Sequence, residues 1–308
     1  MRALIAGVAL AMASLLAAPA GAQVLWEMPT EYPATAIPGE GVATFAQLVN
    51  EKAAGRLTIK PSFDAARGIK SAAMIGAVQK GEVAAGDAFA GALGAVDPLF
   101  GLSSLPFLAT SIADARRLTD LARPAYDAKL ASFGQKILYT TPWPASGIWS
   151  KEPLGGPAAL SGLSIRTYDA TSTAVMNAAG AKATNLSSGD GGAGRNLWDF
   201  LPHFAEVNYA LPISIATVNL AAYEALPADL RRVVDEAAAA TEARQWAAIR
   251  TRLDENYARM RANKVTIQTE IPPAVAAVLA QAGRTVVEDW RRKAGPEASA
   301  VLDAYARP

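Results

Sequence analysis

The sequence predicts an α/β fold in two lobes, and three observations carry that prediction. Strand and helix signals alternate along the chain. At 308 residues, 51% of them hydrophobic, the chain is long enough for two domains with real cores. A stretch of 35 residues without Pro or Gly, Ala228 to Ala262, reads as one helix. At roughly 1.5 Å per residue it would run about 52 Å, more than the width of one small domain, so it has to lie across both lobes. Composition removes other classes. Lys and Arg number 29 against 28 Asp and Glu, which fits neither a disordered polyelectrolyte nor a nucleic-acid-binding surface. With no Cys there is no disulfide frame, thiol nucleophile or thiolate metal site, and the one His, His203, has no second imidazole to work with.

Each element has a local reason. Arg2, the apolar run Ala3 to Ala18 and the small residues Ala20-Gly21-Ala22 make residues 1–22 a signal peptide, cut after Ala22, which sends the mature chain to the periplasm. Losing Arg2 leaves that chain formally neutral. Val24 to Met28 is a strand, and Pro29 to Pro38 a loop. Gly39 to Ala54 is a helix with an apolar stripe of Val42, Phe45, Leu48 and Val49, stopped by Gly55. Leu57 to Lys60 is a strand, Ser71 to Lys80 a helix and Val83 to Ala88 a strand. This order implies a mostly parallel sheet whose ligand crevice lies beyond the carboxyl ends of the strands, near Pro29, Phe63 and Asp87.

A helical region, Ala113 to Phe133, precedes a strand from Lys136 to Thr141. Thr141 to Ser150, with two Trp, two Pro and a Gly, suits an extended crossover between lobes. Gly162 to Arg166 is a strand ending on a cation, and Ser172 to Ala179 a helix closed by Gly180. Asn196 to Phe204 reads as helical, with His203 at its end or packed. For Ala228 to Ala262 the alternative is a coiled-coil strand, against which the Ala-rich stripe argues. Val265 to Ile267 is a strand, and helices from Pro273 to Ala282 and from Arg284 to Arg292 follow.

Catalytic signatures are missing: no phosphate loop, no Gly-x-Ser-x-Gly elbow, no His-Glu-x-x-His pair. Gly189 to Gly194 does fit G-x-G-x-x-G. Two readings stand for it: a dinucleotide loop, or a flexible Gly-rich loop, since the preceding segment is too polar for a central strand and no acidic residue follows near twenty positions on. Arg166, at the carboxyl end of its strand, points into the crevice in an open α/β sheet and can pair both oxygens of a carboxylate; the alternative is a solvated Arg in a surface ion pair.

Several stretches resemble the DctP-type substrate-binding proteins of TRAP transporters. They are the exported start, Gln79 to Asp87, Leu105-Pro106-Phe107, Leu160 to Arg166, Ala178-Ala179-Gly180-Ala181, Ala225-Leu226-Pro227 and the long helix after it. The resemblance runs from about Leu25 to the C-terminus. It implies a two-lobed periplasmic-binding-protein-like fold whose long C-terminal helix spans both lobes, closing on a small organic acid, a monocarboxylate and even an aromatic one. The lobes would be 23–145 with about 212–245, and 146–211 with about 246–308. The carboxylate clamp falls on Arg166, and Asp87 or Phe89 supplies contacts from the first lobe. Ser146 stands where a second Arg is common, which with Trp143, Trp149, Phe89 and Tyr32 favours a small monoacid over a sugar acid. Glu31 and Lys70 lie on loops facing the same crevice. No cofactor is implied; the partners are the acid and the integral membrane subunits. About twenty residues of the family pattern are missing near 187–194, which shortens the second lobe. The competing reading is an exported nucleotide-dependent oxidoreductase using Gly189 to Gly194.

Overall fold

The computed structural model describes residues 23–185 and 196–307. The signal peptide at 1–22, the Gly189 to Gly194 motif and the shortening at 187–194 lie outside the described residues.

The first half builds one wall of the molecule. Strand β1 (Val24–Pro29) pairs in parallel with β2 (Leu57–Ser62). Between them runs helix α1 (Ile37–Lys52), with Pro38 in its first turn where a missing N–H costs nothing. Helix α2 (Ser71–Gln79) leads into β3 (Ala85–Phe89), which packs beside β1. Two 3-10 segments, Ala90–Ala95 and Pro98–Ser104, then carry the chain to α3 (Ile112–Ser132), whose N-cap Ser111 accepts from the N–H of Asp114.

The expected parallel sheet holds for β1–β2 and fails next to it. Strand β4 (Gln135–Pro142) and β3 both pair antiparallel with β9 (Ile213–Asn219), which enters between them late in the chain. A strand returning from a distant part of the sequence is free to run the opposite way, because no βαβ crossover fixes its direction. Every residue of β9 except Asn219 is buried. Two core clusters flank this sheet: one holds Phe45, Ile59, Tyr139 and Val234, the other Phe100, Leu102, Tyr126 and Leu130.

The remaining elements form the second lobe's framework. Strand β5 (Ile148–Ser150) pairs with β8 (His203–Ala205), and β8 with β10 (Thr266–Gln268). A two-stranded parallel ribbon, β6 (Ser164–Thr167) with β7 (Lys182–Asn185), stands beside α4 (Ala170–Ala178). The expected helix over 196–204 is instead a short 3-10 turn at Leu197–Asp199 followed by β8, so His203 sits in a strand and not at a helix end. Pro202 forbids a continuous helix through this point.

Two long helices tie the molecule together. After the short α5 (Leu220–Glu224), helix α6 runs from Ala228 to Ala262 as expected. It packs Leu230 and Val234 beside α1, and its far end contributes Met260 to a small cluster with Phe204 and Val265. Helix α7 (Pro273–Tyr305) departs from expectation, being one helix through Gly283, with its break at Gly295, where φ is +82°. Gly283 is needed for contact: a Cβ there would stand 2.9 Å from a ring carbon of Phe107. Val275, Leu279 and Val286 of α7 pack against Ile148 and Met176, whereas Trp290, Val301 and Leu302 pack with Phe100 and Tyr126. Both long helices therefore reach from one lobe into the other.

Candidate functional site

Six separated stretches of chain meet where the two lobes face each other. Asp87 lies in β3, fully buried. Its Oδ1 accepts from Thr30 Oγ1 at 2.9 Å, while Oδ2 has no partner among the described residues. Burial holds its carboxyl up at about 7; the Thr30 bond works against this and the Glu31 charge adds to it. Glu31 accepts the N–H of Ser71, the first residue of α2, where a carboxylate is favoured by the helix dipole. Ser71 Oγ in turn accepts the N–H of Phe89 at 3.0 Å, which fixes the end of β3 against α2.

Aromatic edges cover this polar base. Tyr32 and Trp143 meet edge to face at 4.8 Å, Phe89 and Trp143 at 6.2 Å, and Phe89 and Tyr168 at 5.6 Å. Trp143 Nε1 donates to Ser214 Oγ of β9 at 3.0 Å. Ser146 Oγ and Tyr168 Oη are 2.8 Å apart, and Tyr168 stacks on Tyr209. The Tyr32 phenol is held well above its ordinary range by burial and by the Glu31 and Asp87 charges. Below Tyr168, Asp169 caps α4: its Oδ1 accepts the N–H of Ser172 at 2.7 Å, and its Oδ2 rests where a Cβ of Gly91 would stand. Burial raises the Asp169 carboxyl as well.

Of the residues expected from sequence, Glu31, Tyr32, Asp87, Phe89, Trp143 and Ser146 come together here. Lys70 is exposed, at the N-cap of α2 beside Ser71. Trp149 is not part of this group: it sits in β5 and packs on Phe204, 5.3 Å away, with Met260 and Val265 behind it. Five residues of extended and irregular chain separate the two Trp of the crossover and carry them to different cores. Arg166 is exposed, where a crevice Arg was expected to be enclosed. Its ribbon offers a reason: Leu163 and Ile165 pack toward the core around α4, and Thr167 bonds Thr173 of α4, so the alternate positions Ser164 and Arg166 stand on the other face.

Sequence reasoning passed over Thr30, Ser71, Tyr168, Asp169, Tyr209 and Ser214. Only Asp169 carried a local signal, an Asp three residues before Ser172 at a helix start. Two surface cavities, of about 440 Å³ between α3 and α6 and about 300 Å³ beside β1, involve none of these residues. Among the described residues no helix is long and apolar enough to cross a membrane.

Comparison with known proteins gives the geometry a context. Residues 29–190 and 196–293 match the family model DctP, bacterial extracellular solute-binding protein, family 7. Among solved structures, the chain is similar to DctP7, a Bordetella pertussis extracytoplasmic solute receptor binding pyroglutamic acid. The two share 30% identity and a TM-score of 0.87, over 92% of this chain and 100% of that one. A TRAP solute-binding protein from a marine metagenome, specific for pyroglutamate, matches at 28% identity and a TM-score of 0.86, over 93% and 99%. DctP6 of Bordetella pertussis, another receptor binding pyroglutamic acid, matches at 25% identity and 0.87, over 92% and 100%. No curated protein matches the chain. These relatives are receptors, which overturns the oxidoreductase reading. The chain belongs to the DctP family, family 7 of the bacterial extracellular solute-binding proteins, and is an extracytoplasmic solute receptor of the TRAP type.

Proposed function

We propose that this receptor binds a small monocarboxylate of about the size of pyroglutamate and delivers it to integral membrane subunits. Arg166 of the second lobe pairs the carboxylate, and the wall of Tyr32, Asp87, Phe89 and Trp143 on the first lobe covers the rest. The observation that carries this reading is Tyr168. Two residues after Arg166, it touches Phe89 and Ser146, so the strand end bearing Arg166 leads directly to the first-lobe wall. Aromatic edges line the seam, and the solute is held against them as the lobes close. Lys70 and Glu31 flank this entrance, whereas Trp149 serves the core of the second lobe. The lobes divide as 23–145 with about 212–245, and 146–211 with about 246 onward, the tail from Trp290 joining the first lobe.

The test is calorimetry on the mature chain with a panel of carboxylates including pyroglutamate. Saturable one-site binding without any cofactor is expected, and a solute at 100 times its dissociation constant should add about 2.7 kcal/mol to stability. Absence of heat and of thermal stabilisation across the panel would reject the reading.

A further inference from the structure

Asp87 Oδ2 is an acceptor with no donor among the described residues. The side chain is wholly enclosed, Thr30 satisfies only Oδ1, and no ion pair reaches the carboxyl among the described residues. Its charged neighbour, Glu31, has the same sign. Three donors on the surrounding elements are committed elsewhere: Trp143 Nε1 to Ser214, the Ser71 N–H to Glu31 and the Phe89 N–H to Ser71. Tyr139 does not fill the gap. It stands in the same row of the sheet, across Ala216, and its Oη is likewise without a partner among the described residues, so the two groups do not satisfy each other. A buried acceptor of this kind is costly to leave unmet and becomes discriminating once a donor arrives.

The position of Asp87 says where the donor comes from. It lies two residues inward of Phe89 on the same strand, hence on the same face of the sheet, and close enough to Tyr32 for its charge to act on that phenol. Tyr32, Phe89 and Trp143 form the wall that covers the solute in the reading above, so a solute resting against them comes up to Asp87. We propose that Asp87 reads a donor on the solute: the acid selected by this receptor carries an uncharged N–H close to its carboxylate, as a lactam does, and Asp87 Oδ2 accepts that N–H while Arg166 holds the carboxylate. This rests on the carboxylate reading given above and narrows it to a class.

The test compares two probes by calorimetry on the mature chain: pyroglutamate, and 5-oxotetrahydrofuran-2-carboxylate, the lactone of the same shape in which a ring oxygen replaces the N–H. The wild-type chain should prefer the lactam by about tenfold or more, the scale of a hydrogen bond to a charged group. Asp87→Asn keeps an oxygen for Thr30 and places an NH2 group where Oδ2 was, so it should narrow or invert that preference. Equal wild-type affinities for the two probes would overturn the inference, as would an undiminished lactam preference in Asp87→Asn. If the wild-type chain binds neither probe, the inference also falls. The carboxylate reading survives that result as long as other acids of the panel bind, and falls only when none does. The wild-type pair decides the matter even where the variant is unstable.

Discussion

The two sides of the seam are built differently. On the first lobe the site rests on a sheet: Asp87 and Phe89 belong to a buried strand braced by β9, and Ser71 and Thr30 fix their backbone and side chains. On the second lobe Arg166 rides a ribbon of only two strands and is exposed. One side is a charge and a ring braced by a buried sheet; the other is a cation on a short ribbon. On the proposed reading, shape selection belongs mainly to the first lobe and charge selection to the second.

That contrast can be broken or sharpened by substitution. The largest effect is expected at Trp149, which the structure assigns to a core: Trp149→Ala should lower stability by about 2–3 kcal/mol in denaturant melts while leaving carboxylate affinity nearly unchanged. A large loss of affinity with little loss of stability would return Trp149 to the site. Arg166→Ala should do the reverse, weakening carboxylate binding by about 2 kcal/mol in calorimetry with little change in melting temperature, since the side chain is exposed. Unchanged affinity would remove Arg166 from its proposed role.

Asp87 gives a pH test of the rigid side. Its carboxyl is held at about 7 when folded and falls to the ordinary value near 3.8 when unfolded. Between those values the unfolded chain releases a proton that the folded chain keeps. The contribution of this group to stability is thus greatest in acid and declines as pH rises through about 7. Glu31, Tyr32 and Tyr139 face it, and none supplies a positive charge. Thermal melts without solute should show Asp87→Asn gaining on the wild-type chain from acid to neutral pH; parallel curves would contradict this. The smallest effect concerns a contact at the edge of the seam, within the second lobe. Tyr168→Phe removes the bond to Ser146 and should cost about 1 kcal/mol, with Ser146→Ala in the same background adding little.

The elements most legible in the sequence were those set by local rules. The stripe Val42, Phe45, Leu48 and Val49 marks α1, and the uninterrupted run after Pro227 marks α6 at both ends. What escaped depended on distant partners. Strand β9 is buried on both faces, Ile213, Ile215 and Thr217 on one and Ser214, Ala216 and Val218 on the other, so it carries no alternation to mark it as a strand. Gly283 looks like a helix stop, yet its reason for being Gly is the ring of Phe107, far away in sequence. Within the site, Asp87, Phe89 and Tyr32 were within reach of a family resemblance. Tyr168 and Ser71 were not, because their roles arise only when separate loops are brought together. The exposure of Arg166 was hidden for a related reason: a strand-end cation says nothing about how many strands flank it.

The paired long helices have a mechanical consequence. A continuous helix clamped by packing at both ends resists bending along its length, and here α6, and α7 as far as its break at Gly295, are anchored in both halves of the molecule. Parting the halves loads both rods as leaf springs. The width of the mouth then depends on the stiffness of these rods as well as on the length of the linking strands.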